Sequence, residues 1–355
     1  MYYNKHYKRL GVFVRCFMKN VLIVGGGLAG CTAAKQLSKF GIPSILLESS
    51  SIIGGKVRDY GCKADSRCSQ CGVCLAGNLW EAVENDPNIS IYYNARIFDL
   101  YKNGDGFTAC FLSGPETHEL NVTDVIVASG FTDYAERSLG AAEIAPSRRI
   151  LTGRNLETLL KGRTSDSIFE HEPASVAFIM CFGSRDIKEK AQYCSRVCCG
   201  YATRSAKVLR HYYPNAEITL FYMDLQTVNS SPRYMDELRK NGIRFERCRP
   251  ARIGSEESLP VVTYENSEGL QKKTFDYVIL CGAVHPCPDA AFLSDITGLR
   301  VDENGFLQYV LPPEMTHVYL AGCASGPKSI YETSADAAGV AARIANFNFG
   351  DGVRQ

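Results

Sequence analysis

The segment NVLIVGGGLAGCTAAKQLSKFGIPSILLES, residues 20–49, constrains the fold of this chain more than any other. Its apolar run Val21–Val24 shows no polar alternation and reads as a strand buried on both faces of a parallel sheet. Gly25, Gly27 and Gly30 follow as G-x-G-x-x-G, and residues 31–39 have helical composition. A second strand over residues 44–47 ends at Glu48, eighteen residues after Gly30. Each part has a mechanical task. Gly25 makes the tight turn, Gly27 lets backbone approach a pyrophosphate, and Gly30 lets helix pack on strand. Leu28 and Ala29 fall in the turn itself, the helix N-terminus holds the phosphates, and Glu48 accepts from ribose hydroxyls. Strand, loop, helix, strand and acid in that order predict a Rossmann-type dinucleotide site.

At 355 residues, 45% of them apolar and 22% charged, the chain has room for two cores and lacks a disordered signature. A net charge of +1 gives no basic field for nucleic acid. No apolar run approaches the ~20 residues of a membrane span. Residues 1–17 read as an extension from an early start codon, since Met18 directly precedes the nucleotide-binding segment. Arg15 and Lys19 interrupt what would otherwise imitate a signal peptide. Without such a signal the expected location is cytoplasmic. There, fifteen cysteines point to metal binding or redox work rather than a disulfide framework. Eight of them fall in two windows, residues 62–74 and 181–199.

Three later segments resemble FAD enzymes of the glutathione-reductase type. IIGGKV places Gly54, Gly55, Lys56 and Val57 just after the second strand. DVIVASG carries Ala128 and Gly130 where such enzymes close an apolar strand on Ala-Thr-Gly. THVYLAGCASGPKSIYETSADAAGVAARIA, with Gly322 and Gly326, resembles their last strand and long helix. Cys323 stands where an aspartate usually reaches the ribityl chain, and the helix after Gly326 aims its N-terminal dipole at the flavin. The expected class is α/β: two Rossmann-like domains of the glutathione-reductase type, the second inserted in the first. The FAD domain covers 18–130 and 291–350, and the insert covers 131–290.

In the insert, residues 174–180 read as a first strand, 200–214 as a helix and 216–224 as a second strand. Between strand and helix stands CFGSRDIKEKAQYCSRVCC instead of a glycine-rich loop, so a nicotinamide nucleotide is not expected there. Its thiols give C-x12-C-x3-C-C through Cys181, Cys194, Cys198 and Cys199. Such soft ligands suit an iron–sulfur cluster or zinc; a redox disulfide and inert buried cysteines are the blander readings. Arg185 and Arg196 are expected to offset the charge of a thiolate cluster.

CFGSRD…YCSRVCCGYATRSA resembles the A subunit of heterodisulfide reductases, and the likeness runs through GGKV and AGCASGPKSI over residues 18–345. The resemblance implies that Cys181, Cys194, Cys198 and Cys199 hold a [4Fe-4S] cluster beside FAD. It implies B- and C-type partner subunits that handle the sulfur chemistry, and a homodimer within a larger complex able to associate with a membrane. Without the ferredoxin-like segments of methanogen forms, the chain looks like the short A-like subunit of sulfur-oxidising heterodisulfide-reductase-like complexes. The A subunit of quinone-interacting oxidoreductases is related. Arg204 stands five residues after the last cluster cysteine, where the family often has lysine near the flavin N5, so electron bifurcation is not implied.

GCKADSRCSQCGVCLAG gives C-x5-C-x2-C-x2-C through Cys62, Cys68, Cys71 and Cys74, whose C-x2-C-x2-C core matches three ligands of a ferredoxin run. A second [4Fe-4S] cluster, zinc and partner-facing thiols are the three readings. Lys56 and Arg204 are the expected flavin-tuning cations. His285 reads as solvated or packed, and Cys16 and Cys110 as structural. Two other functions compete: a self-sufficient NAD(P)H-dependent disulfide reductase, with Cys68 and Cys71 as its dithiol, and a non-catalytic zinc-stabilised scaffold.

Overall fold

A computed structural model describes residues 20–65, 67–138, 148–163, 168–169, 171–226 and 233–350. The 1–17 extension and Cys16 lie outside them.

Two five-stranded parallel sheets carry the fold. In the first, the strands run in the order Val318–Leu320, Asp124–Val127, Val21–Val24, Ser44–Leu47, Ile89–Tyr92. Val21 pairs with Ser44 on one side and Asp124 on the other. The apolar runs bury both faces, as a parallel sheet covered on two sides requires. The helix Leu28–Lys39 starts three residues earlier than its composition indicates. Gly27 is extended and caps it, and the Cys31 N–H bonds to Gly27 O at 3.0 Å. Ala33 and Ala34 share a core with Ala337, Ala341 and Ala345 of the helix Ile330–Gly350. Small residues on both sides let the two helices approach closely over the sheet.

The second sheet has the order Ile243–Arg247, Glu217–Tyr222, Ser175–Phe182, Tyr277–Gly282, Ile150–Thr152, all parallel. The helix Cys198–Tyr212 covers one face. It begins two residues ahead of the expected 200, so both Cys198 and Cys199 lie in its first turn. The polar stretch after it forms the antiparallel sheet Arg252–Glu256, Leu259–Asn266, Gly269–Thr274. Chain enters and leaves this half through an antiparallel pair, Phe131–Asp133 against Val284–Pro286. Among the described residues no helix is long and apolar enough to cross a membrane.

Candidate functional site

A cavity of about 440 Å³ opens between the two parallel sheets. On one side it is walled by Gly25, Gly27, Leu28, Ala29, Glu48, Gly55, Lys56, Val57, Ala128 and Gly130. All ten are among the residues singled out from the sequence. The glycines divide the work as their positions require. Gly25 has φ +112°, and a Cβ there would lie 2.4 Å from Ala128 O. A Cβ on Gly30 would lie 1.9 Å from Gly25 O, whereas one on Gly27 would meet nothing within 4 Å. Gly27 therefore faces free space. Glu48, 7% exposed, accepts the Gly26 N–H at 3.1 Å and the Ser50 N–H at 2.7 Å, which fixes its carboxylate at the rim of that space.

Gly30, Gly54, Gly322 and Gly326 shape the wall without lining it. Gly54 (φ +117°) donates its N–H to Gly26 O at 2.8 Å, bridging the glycine turn to the segment that carries Lys56. Gly322 (φ +68°) donates to the Asp336 carboxylate at 2.8 Å, and Lys328 Nζ donates to Gly322 O at 2.8 Å. Cys323 lines the cavity beside them, its thiol pushed up by burial. Lys56 lies 3.6 Å from Glu136 and 5.5 Å from the Phe131 ring centroid.

The opposite wall comes from the second half: Arg154, Glu157, Arg196, Val197, Gly200, Tyr201 and Arg204. Behind it stand the thiols of the 181–199 window. Cys181, Cys198 and Cys199 are buried and Cys194 is half-buried. Cys198 lies within hydrogen-bonding reach of Cys181 or, alternatively, Cys199, which together with its burial raises its pKa well above the thiol range. The bond from Cys198, with the Arg185 charge, draws Cys181 down to about 7 against its burial. The same donor lowers Cys199, helped by the Gln226 N–H. The Arg196 N–H points at Cys194 Sγ, 3.3 Å away. Cys181 (φ +57°), Arg185 (φ +54°) and Arg196 (φ +61°) hold left-handed backbone, a conformation side chains adopt at a cost. One expectation about the arginines is corrected. Arg185 does face Cys181, although it also pairs with Asp224 at 2.6 Å. The Arg196 guanidinium turns away, to Glu332 at 2.6 Å and Pro327 O at 3.3 Å.

Of the other window's thiols only Cys71 lines the cavity; Cys62, Cys68 and Cys74 are exposed. Arg204 Nε donates to Ser69 O at 3.1 Å, tying that loop to the helix Cys198–Tyr212. Among the described residues no group of three His, Cys, Asp or Glu side chains is close enough to hold one metal ion. A zinc knot gathers four ligands within ~2.3 Å of a single atom. His285 is packed: its Nε2 lies 2.8 Å from Gly183 O and its ring beside Tyr134.

Sequence reading missed Tyr60, Lys63, Asp133, Glu157 and Tyr201, all of which line the cavity. Lys63, next to Cys62, and Tyr201, two residues after Cys199, had neighbours to draw attention to them. The others sit in helices and connections whose relation to the cavity is set by domain packing.

Residues 23–96 match the NAD(P)-binding Rossmann-like domain family. Over 92% of its length this chain is 25% identical to the A subunit of the ferredoxin/F(420)H(2)-dependent CoB-CoM heterodisulfide reductase of Methanosarcina acetivorans, covering 53% of that protein. Over 65% of its length it is 34% identical to the A subunit of the H(2):CoB-CoM heterodisulfide,ferredoxin reductase of Methanothermobacter marburgensis, covering 38% of it. The chain thus spans about half the length, or less, of these relatives. Among solved structures, thioredoxin reductase of Lactococcus lactis superposes with a TM-score of 0.62 at 17% identity, over 93% of this chain and 98% of that one. The flavoprotein disulfide reductase RclA of Escherichia coli gives 0.57 at 16% identity, over 90% and 69%. These likenesses show a thioredoxin- and glutathione-reductase-type fold. The curated relatives are A subunits of heterodisulfide reductases, to which this chain is similar, and together with the flavoprotein neighbours they support an oxidoreductase.

Proposed function

We propose that this chain is the FAD- and iron–sulfur-containing electron-transfer subunit of a heterodisulfide-reductase-like complex in sulfur metabolism. One observation carries the reading. Where a Rossmann domain places its phosphate loop, the second half gathers three buried thiols, Cys181, Cys198 and Cys199, and the next helical turn walls the cavity.

The first half fits FAD. Gly27 leaves room for a pyrophosphate, the helix Leu28–Lys39 presents its N-terminus there, and Glu48 stands at the rim for ribose hydroxyls. Cys181, Cys194, Cys198 and Cys199 would hold one [4Fe-4S] cluster, with Arg185 and the N–H groups of Arg196 and Gln226 offsetting its charge. Cys62, Cys68, Cys71 and Cys74 would hold a second. When bound, flavin supplies two-electron exchange and the clusters single-electron exchange. The chain's own part is to orient both and to keep cations, Lys56 and Arg204, facing the cavity. B- and C-type subunits would carry the thiol or disulfide chemistry, on a homodimer of this chain in the cytoplasm. The functional units would be 18–130 with 291–350, and 131–290.

Anaerobic purification with flavin, iron and acid-labile sulfide analysis tests this. FAD, iron and sulfide together are expected. Cys194→Ser and Cys199→Ser should each remove brown colour and paramagnetic signal; retention of both would overturn the reading. Cys71 on the cavity wall favours one rival, a dithiol reductase using Cys68 and Cys71. Rapid bleaching of the flavin by NADH or NADPH would establish it instead.

A further inference from the structure

The 62–74 loop belongs by sequence to the first half, yet it is fastened by the second. Gly61 donates its N–H to Glu157 Oε2 at 3.1 Å. Lys63 Nζ donates to the same carboxylate and to Gly61 O at 2.8 Å. Lys63 is 3% exposed and Glu157 6%. Arg163, at the end of the helix Gly153–Gly162, donates to Cys62 O at 2.6 Å. Lys207 and Arg204 of the helix Cys198–Tyr212 reach Asp65 at 3.1 Å and Ser69 O at 3.1 Å. Backbone fit is equally tight: a Cβ on Gly61 would lie 2.6 Å from Leu160 C.

A buried ion pair is a poor source of net stability, because desolvating two charges offsets their attraction. Its geometry is unforgiving, however, since removing one partner strands the other in a dry site. Here the carboxylate accepts from an ammonium and a backbone N–H at once. That arrangement exists only when the loop lies in one position against the 153–162 helix. Lys63 and Glu157 also line the cavity, so the position they fix is the one that brings Cys71 to its wall.

We infer that Lys63 and Glu157 are positioning residues, a latch that seats the 62–74 thiol loop on the inserted domain and holds Cys71 at the cavity. That the seated thiols carry electrons rests on the function proposed above; the latch itself does not. Hydrogen–deuterium exchange on the full chain as purified reads it directly. In Glu157→Gln, amides of residues 60–71 should exchange at least tenfold faster. Those of Val73–Glu84 and Cys198–Tyr212 should keep their protection. Exchange of 60–71 within twofold of wild type would overturn the latch. Should Glu157→Gln lose protection everywhere, the double variant Lys63→Met/Glu157→Met, which leaves no stranded charge, decides. It should keep both helices protected while 60–71 exchanges fast, and wild-type protection of 60–71 would again overturn the proposal. Iron counts separate the two layers. About eight irons in wild type falling to about four in Glu157→Gln is expected. Four in both would remove the second cluster and leave the latch to the exchange result.

Discussion

The ring of Tyr134 lies against Gly183, so close that a methyl on that glycine would come 2.0 Å from the ring's Cδ1 atom. Gly183 follows the strand Ser175–Phe182, at the point where a dinucleotide-binding domain opens its phosphate loop. Here the space is filled by protein, with His285 beside the tyrosine and bonded to Gly183 O. Gly183 also has φ +83°. Gly183→Ala therefore meets both a left-handed backbone and the Tyr134 ring, which would have to shift. It should lower unfolding free energy by about 2–4 kcal/mol, seen as a lower denaturant midpoint.

Gly27 and Gly30 separate folding from binding. Gly30→Ala drives its methyl into Gly25 O and should cost more than about 2 kcal/mol of stability, with the flavin lost as a consequence. Gly27→Ala has free space on the protein side and should leave apoprotein stability within about 0.5 kcal/mol of wild type. The same methyl occupies the space proposed for pyrophosphate, so FAD affinity should fall at least tenfold. Thermal unfolding and flavin titration of the two apoproteins check both outcomes. Equal loss of stability in the two variants would refute the division.

This division also shows why part of the molecule was readable from sequence. The strands Val21–Val24 and Ser44–Leu47 are buried on both faces, so their apolar runs are unbroken, and the glycine spacing is fixed by local backbone contacts. Such features leave a pattern in the sequence itself, even where the contact is distant, as with Gly25 against Ala128 O. Glu157 and Lys63 are ninety-four residues apart, and neither sits in a pattern that names the other. Arg196 illustrates the opposite error. Its closeness in sequence to Cys194 and Cys198 placed it among the thiols, but its long side chain reaches the helix Ile330–Gly350 instead. The start of the helix Cys198–Tyr212 was misjudged because a Cys-Cys pair has no helix-start signature of its own.

Arg204 lines the cavity while its Nε is bonded to Ser69 O. Removing this cation should make a bound flavin harder to reduce. Arg204→Gln is expected to lower the two-electron midpoint potential by on the order of 30 mV, about 1.4 kcal/mol. Spectroelectrochemical titration measures it, and an unchanged or higher potential would show that Arg204 only ties the loop.

Asp133 lines the cavity where the two halves meet, and its carboxylate accepts the Ala135 N–H at 2.8 Å. Burial pushes its pKa up to about 6, with Glu136 adding to the rise and Lys56 and the N–H groups of Ala135 and Glu136 opposing it. Tyr60, Tyr201 and Cys281 also stand within reach of its charge. Because the folded-state value lies above the unfolded one, the folded protein holds this proton more tightly. Its stabilising contribution is complete below pH ~4 and is lost as pH rises through about 6. Above that the ionised carboxylate costs roughly 2–3 kcal/mol. Asn can still accept the Ala135 N–H but does not ionise. Asp133→Asn should therefore be more stable than wild type at pH 7.5, with the advantage shrinking between pH 6 and 4. Denaturant melts of both proteins at pH 7.5 and 5.0 test this, and an advantage independent of pH would show that desolvation of Asp133 is not its cause.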